Sequence, residues 1–179
     1  MTDDNSLTDE QLVKAIRKND PEAFKKLFQK YFAQLIRFCW YRVHDMDTSR
    51  DLVQEIFVRV WLKRHMLNPD KSIKAYLYKS LNNLIINQSK LSFFQTISLE
   101  ELPTAKNISE ENNHEFNIDI QNALSKLPQK LKTVYMLSRF EGFDYSEIAE
   151  MCSVSKKAVE KRMSKAFILL RKFFSEKHS

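Results

Sequence analysis

The stretch Tyr145–Leu170, YSEIAEMCSVSKKAVEKRMSKAFILL, decides how the rest of the chain is read. It predicts two short helices with a tight break between them. The first, Ser146–Met151, turns Ile148 and Ala149 inward, and Ala149 is small where the second helix crosses close by. The break is Cys152-Ser153-Val154, with Val154 as its apolar plug. Ser155 stands where an N-cap belongs, because its hydroxyl can accept from an orphan N–H of the next turn. Val159, Met163, Ala166 and Leu170 then recur at helical spacing as a buried stripe. The opposite face carries Lys156, Lys157, Lys161, Arg162 and Lys165. A basic second helix after a tight turn is the geometry that enters a DNA major groove. The same pattern also describes a solvated corner that binds nothing, so the remainder of the chain must decide.

Composition narrows the choices. The chain has 179 residues, one Gly and four Pro, with 43% apolar and 29% charged residues. So few turn-formers favour long helices over sheets. The two cysteines, Cys39 and Cys152, lie far apart with no CxxC spacing, which excludes a disulfide framework and suits a reducing compartment. No apolar run approaches the ~20 residues of a membrane span, and the start MTDDNS lacks signal-peptide character. A cytoplasmic protein is expected, with no direct membrane insertion. The four scattered histidines make no zinc spacing, and neither a nucleotide-binding Gly loop nor a nucleophile–base pair is visible. No cofactor, no metal and no enzymatic activity are expected.

The net charge of +6 divides unevenly. Residues 1–90 hold 16 Lys and Arg against 11 Asp and Glu, a net +5. Residues 91–119 hold one Lys and six acids, a net −5, and residues 120–179 hold 12 bases and six acids, a net +6. Two basic blocks around an acidic one point to a polyanion partner. The fold expected is all-α, with helical domains at 7–90 and 120–176 joined by a flexible acidic linker at 91–119. That linker is too long for an ordinary connection in a compact domain.

In the first block, Thr8 and Gln11 suggest a capping box for a helix over residues 7–19. Asp20-Pro21 opens a second helix to about Val43, with Phe24, Leu27, Phe28, Tyr31, Leu35, Phe38 and Cys39 inward. Asp45–Thr48 reads as a turn. A third helix, about Thr48–Lys63, buries Leu52, Val53, Ile56 and Val60, with Phe57 at the stripe's edge. Asp51, Gln54, Glu55 and Val58 share its other face, as a docking surface for a basic partner or as a solvated face. After a loop at 64–71 comes a fourth helix, about Ser72–Ser89, dotted with Tyr76, Tyr78, Lys79, Asn82, Asn83 and Asn87. Asn is unfavourable inside a helix, and aromatics interleaved with amides and cations suit unstacked bases. The alternative is that both tyrosines simply close a bundle core. In the last block Ile120–Lys126 is a short helix. Pro128 then opens another that buries Leu131, Val134, Tyr135 and Leu137, and the chain's one glycine, Gly142, ends it in a left-handed turn.

Four motifs in order then carry a resemblance: DPEAFKKLFQKYF, DLVQEIFVRVW, YLYKSLNNLIIN, and LPQKLKTVYMLSRFEGFDYSEIAEMCSVSKKAVEKRMSKAFILLRKF. Together they resemble bacterial RNA polymerase sigma factors of the extracytoplasmic-function (ECF) group, nearest to the iron-citrate-type and Bacteroidetes branches. The resemblance implies a sigma domain 2 bundle and a sigma domain 4 helix-turn-helix, directing core polymerase to promoters and assisting melting. It implies that Asp51, Gln54, Glu55 and Val58 dock on the clamp of the polymerase's largest subunit. Leu67 and Asn68, in a loop 67–72 that takes a flipped base, with Tyr78, Lys79 and Asn83, would meet the minus-ten element. Ser155, Lys156, Lys157, Glu160, Lys161 and Lys165 would meet the minus-thirty-five element, with Arg162 at the rim. A membrane-linked anti-sigma factor is the further partner implied. Departures are Asn82 where many members have Arg, Ser153 where many have Gly, and Lys156-Lys157-Ala158 at the start of the recognition helix. A conventional helix-turn-helix regulator that binds duplex DNA without polymerase is the alternative, and an all-helical interaction adaptor a third reading.

Overall fold

A computed structural model describes residues 7–96 and 118–177, all of whose regular elements are helical. In order they are α1 (Asp9–Arg17), α2 (Pro21–Val43), α3 (Met46–Leu62), a 3-10 turn (Arg64–Met66) and α4 (Ile73–Thr96). Then follow α5 (Ile118–Ser125), α6 (Gln129–Arg139), α7 (Tyr145–Cys152) and α8 (Lys156–Lys177). The described residues fall into two compact units, one drawn from Met1–Ile85 and Ala149–Ser153, the other from Ile86–Ile148 and Val154–Ser179.

The first unit starts with the expected capping box. The Gln11 N–H donates to Thr8 Oγ1 at 3.2 Å, and the Thr8 N–H donates to Gln11 Oε1 at 2.8 Å. Leu12, Val13 and Ile16 are buried against the bundle. Asp20 caps α2, accepting from the Glu22 and Ala23 N–H groups at 2.9 and 3.1 Å, with Pro21 at the first helical position. Asp9 ties the two helices together: it accepts from the Tyr31 hydroxyl at 2.5 Å and from Lys30 Nζ at 2.7 Å. Burial and that carboxylate raise the Tyr31 pKa well above its ordinary value.

The expected turn at Asp45–Thr48 is instead the start of a helix. Asp45 is the N-cap, accepting from the Thr48 N–H at 2.7 Å, and α3 begins at Met46. Leu52, Val53, Ile56 and Val60 face the core as expected. Phe57 is no edge residue: its ring is buried among those of Phe24, Phe28 and Phe32. Phe24 and Phe28 contribute ring faces while staying half-buried. The fourth helix outruns its expected end at Ser89 and continues to Thr96, inside the stretch expected as linker. At the other end α5 opens at Ile118, so the stretch 91–119 is helical at both margins, and 97–117 lies outside the described residues.

In the second unit, α8 packs against α5 and α6. Leu131, Val134 and Leu137 are buried as expected, but Met136 takes the core position expected of Tyr135. Tyr135 is half-buried and meets Phe140 and Phe167 edge-on. Gly142 has φ 75°, the left-handed turn that glycine meets without steric cost.

Candidate functional site

Three exposed faces hold the expected functional side chains. On α3, the buried positions Leu52, Val53, Ile56 and Val60 oblige the residues half a turn away to face solvent. Asp51, Gln54, Glu55 and Val58 are all exposed there, Val58 at 56%. Leu62 and Met66 extend the exposed apolar run beyond Val58. Glu55 also pairs with Arg59 one turn on. An exposed i,i+4 pair is worth only a few tenths of a kcal/mol, so a partner's cation can replace Arg59 at little cost.

On α4 the structure separates residues that the sequence had grouped. Leu77, Tyr78, Leu81 and Ile85 are one buried stripe, and the Tyr78 ring meets Phe38 edge-on, 5.3 Å between centroids. Tyr78 is therefore a core residue and offers no ring face to a strand. Leu67 is likewise buried and plugs the loop from inside. The exposed stripe runs Tyr76, Asn83 and Asn87, with half-buried Lys79 between them, and Tyr76 is its aromatic at 37% exposure. Asn68 is exposed, and its carboxamide accepts from the Asp70 N–H at 2.9 Å, which shapes the turn into Ser72. The Ser72 hydroxyl in turn accepts from the Ala75 N–H at 3.1 Å and starts α4.

Asn82 answers a different need from Asn83. It is buried and accepts from Arg42 Nη1 at 2.9 Å. Burial pushes the Arg42 guanidinium down to about 10, which still leaves it charged at neutral pH. A buried amide facing a buried cation explains one of the asparagines in a helix where Asn is locally unfavourable.

The third face lies on α7 and α8. Asp144 caps α7, a position the sequence reading missed although the DYSE spacing carries the signal. It accepts from the Ser146 and Glu147 N–H groups at 2.6 and 2.9 Å, while Glu147 Oε2 accepts from the Asp144 N–H at 2.9 Å. Ser153 takes the break at φ 53°. Ser155 caps α8, accepting from the Ala158 N–H at 3.2 Å. Val159, Met163, Ala166 and Leu170 are buried, as their spacing predicts. Ser155, Lys156, Lys157, Glu160, Lys161 and Lys165 are all exposed, and Arg162 is half-buried at the rim. Lys157, Lys161 and Lys165 repeat every four residues and so span about 12 Å along the axis, the scale of a major groove.

Known proteins resemble this chain in sequence and fold. Residues 27–90 match the family model described as Sigma-70 region 2, and residues 117–170 match Sigma-70, region 4. The chain is 21% identical over 174 residues to the ECF RNA polymerase sigma factor SigW of Bacillus subtilis, covering 89% of this chain and 93% of that one. It is 24% identical over 174 residues to the ECF RNA polymerase sigma-E factor of Escherichia coli, covering 89% and 91%. Among solved structures it superposes on the sigma factor RpoE of Bartonella quintana, in complex with the anti-sigma factor NepR, with a TM-score of 0.75 at 21% identity. That match covers 85% of this chain and 96% of the other. With regions 2 and 4 in sequence order, the chain belongs to the ECF-type RNA polymerase sigma factors, which are transcription initiation factors and not enzymes.

Proposed function

We propose that this factor engages core polymerase through α3 and reads its promoter in two pieces, melted strand at α4 and duplex at α8. Asp51, Gln54, Glu55 and Val58 form the polymerase-facing surface. Acid and amide groups around an exposed valine suit a basic, amphipathic helical partner, the clamp of the largest subunit. Asn68, Lys79 and Asn83, joined by Tyr76, form the minus-ten surface: an aromatic face for stacking, amides for base edges and a cation for phosphate. Ser155, Lys156, Lys157, Glu160, Lys161 and Lys165 form the minus-thirty-five surface. The observation that carries the reading is the coexistence of an acidic docking stripe and a basic recognition helix in one chain. A duplex-binding regulator has use for the second alone.

RNA polymerase sets the place of action in the bacterial cytoplasm, and no described helix is long and apolar enough to cross a membrane. The resemblance of EKRMSKA to the iron-citrate-type and Bacteroidetes branches supports that finer placement. An anti-sigma partner, membrane-linked in the family pattern, is the regulator. It has a counterpart in the solved complexes of RpoE with NepR and of CnrH with the cytosolic domain of CnrY, the latter matched at TM-score 0.69 and 20% identity. Transcription with purified core polymerase tests the reading. The chain should co-purify with core and direct initiation at discrete sites, which start-site mapping after overexpression then identifies. Failure on both counts sinks it.

A further inference from the structure

We propose that Arg64 is a positioning residue, clamped by Asn19, that sets the loop 67–72 for the melted strand; this rests on the minus-ten assignment of that loop. Arg64 stands at the head of the 3-10 turn Arg64–Met66, between α3 and the loop. Its guanidinium makes three contacts with two residues. Nε donates to Asn19 Oδ1 at 2.5 Å, Nη1 donates to the Trp61 carbonyl at 2.7 Å, and the cation lies 4.7 Å from the Trp61 ring centroid. The Trp61 ring in turn packs on Phe24 at 5.1 Å. One planar fork thus joins the α1–α2 corner to the end of α3.

The main chain carries the restraint onward. The Arg64 carbonyl accepts from the Leu67 N–H at 3.2 Å, and the Lys63 carbonyl from the Met66 N–H at 2.8 Å. Leu67 is buried, and the next residue, Asn68, is exposed and shapes the turn that follows. A rotation at Arg64 therefore moves the loop's anchor and the first side chain aimed outward.

Asn19 supplies the independent observation. It sits at φ 67°, a conformation that glycine meets most easily. The corner's backbone is closed without its side chain, by Asn19 N–H to the Ile16 carbonyl at 2.9 Å and Asp20 N–H to the Ala15 carbonyl at 3.2 Å. The carboxamide is thus spare for the corner itself and engaged on Arg64. Glycine would serve the turn, but only a side-chain acceptor serves the clamp.

The test compares Asn19→Gly, Asn19→Asp and Arg64→Lys in the full chain. Asn19→Gly keeps the turn and removes the acceptor, Asn19→Asp keeps an acceptor, and Arg64→Lys keeps charge without the fork. Thermal melting should leave Asn19→Gly as stable as the parent. Amide hydrogen exchange at Met66 and Leu67 should quicken roughly tenfold in Asn19→Gly and Arg64→Lys, while Asn19→Asp stays near the parent. Exchange at Leu77 and Leu81 should not change. With core polymerase added, Asn19→Gly should bind a labelled single-stranded oligonucleotide of the mapped non-template minus-ten sequence about fivefold more weakly, at unchanged core affinity. Unaltered exchange at Met66 and Leu67, or equal oligonucleotide binding by parent and Asn19→Gly, overturns the clamp. A parent holoenzyme that ignores the oligonucleotide overturns the minus-ten assignment, and the proposal with it.

Discussion

The exposed faces of α3 and α8 are built alike and charged oppositely. Each helix buries an apolar stripe, Leu52, Val53, Ile56, Phe57 and Val60 on one and Val159, Met163, Ala166 and Leu170 on the other. Each then shows solvent the residues half a turn away. On α3 these include Asp51, Gln54 and Glu55 around Val58, with Arg59 paired to Glu55 and with Leu62 and Met66 beyond. On the first three turns of α8 they are lysines with Glu160 and Ser164 between them, and exposed apolar residues begin only at Phe167. The contrast separates two kinds of recognition. Apolar side chains among acids suit a protein surface, where desolvated contact supplies affinity. Lysines without apolar neighbours suit phosphates, where released counterions supply it.

Experiments can break this contrast or refine it. The largest effect is expected inside α4. Tyr78→Ala empties a buried ring site against Phe38 and should cost about 3–5 kcal/mol by denaturant unfolding, as for other large buried aromatics. Tyr76→Ala should cost under about 0.5 kcal/mol and weaken only single-strand binding. Equal costs would return Tyr76 to the core. Next comes charge reversal on α3. Asp51→Arg with Glu55→Arg should weaken core polymerase binding by more than tenfold in a co-purification titration. Duplex binding by the free chain should stay as it was, and equal loss of both would erase the division of labour between α3 and α8. On α8, Lys157→Ala with Lys161→Ala should weaken duplex binding and lower the slope of log affinity against log salt by about two, roughly one per lysine. An unchanged slope would mean that these lysines meet no phosphate.

Two smaller effects concern helix ends. Ser153→Gly relieves a left-handed position in the break and should gain up to about 1 kcal/mol in thermal unfolding. Asp45→Ala removes the cap of α3 and should cost about 1 kcal/mol at neutral pH. Bonds from the Thr48 side chain and N–H hold the Asp45 carboxyl below its ordinary pKa. Its contribution is therefore present above pH ~4 and lost as pH falls through the lower folded value. Parent and Asp45→Ala stabilities should converge in acid, and a constant difference would rule out the carboxylate as the cause.

Much of this was legible in the chain because helical spacing alone assigns faces. Exposure of Asp51, Gln54, Glu55 and Val58 follows once Leu52, Val53, Ile56 and Val60 are taken as core. The same logic, applied consistently to α4, puts Tyr78 with Leu77, Leu81 and Ile85 and leaves Tyr76 outside. The family position of Tyr78, matched to strand contact, points the other way. Other features had no local signal. The bond from Arg42 to Asn82 joins residues 40 apart in sequence, and that from Arg64 to Asn19 joins residues 45 apart. Neither pairing leaves a periodicity to find. The continuation of α4 to Thr96 runs through LSFFQT, half apolar, inside a stretch whose acidic and polar composition as a whole reads as a linker.

The corner between α2 and α3 carries one more consequence. His44, left-handed at φ 58°, closes α2 through its N–H to the Trp40 carbonyl at 2.8 Å, and the very next residue, Asp45, opens α3. Two helices of 23 and 17 residues are thus joined by two residues, each a cap. Closing so short a connection costs little chain entropy. The hairpin is expected to form early in the folding of its unit. Residues along it should slow refolding when truncated, whereas those of α1 should act mainly on the rate of unfolding.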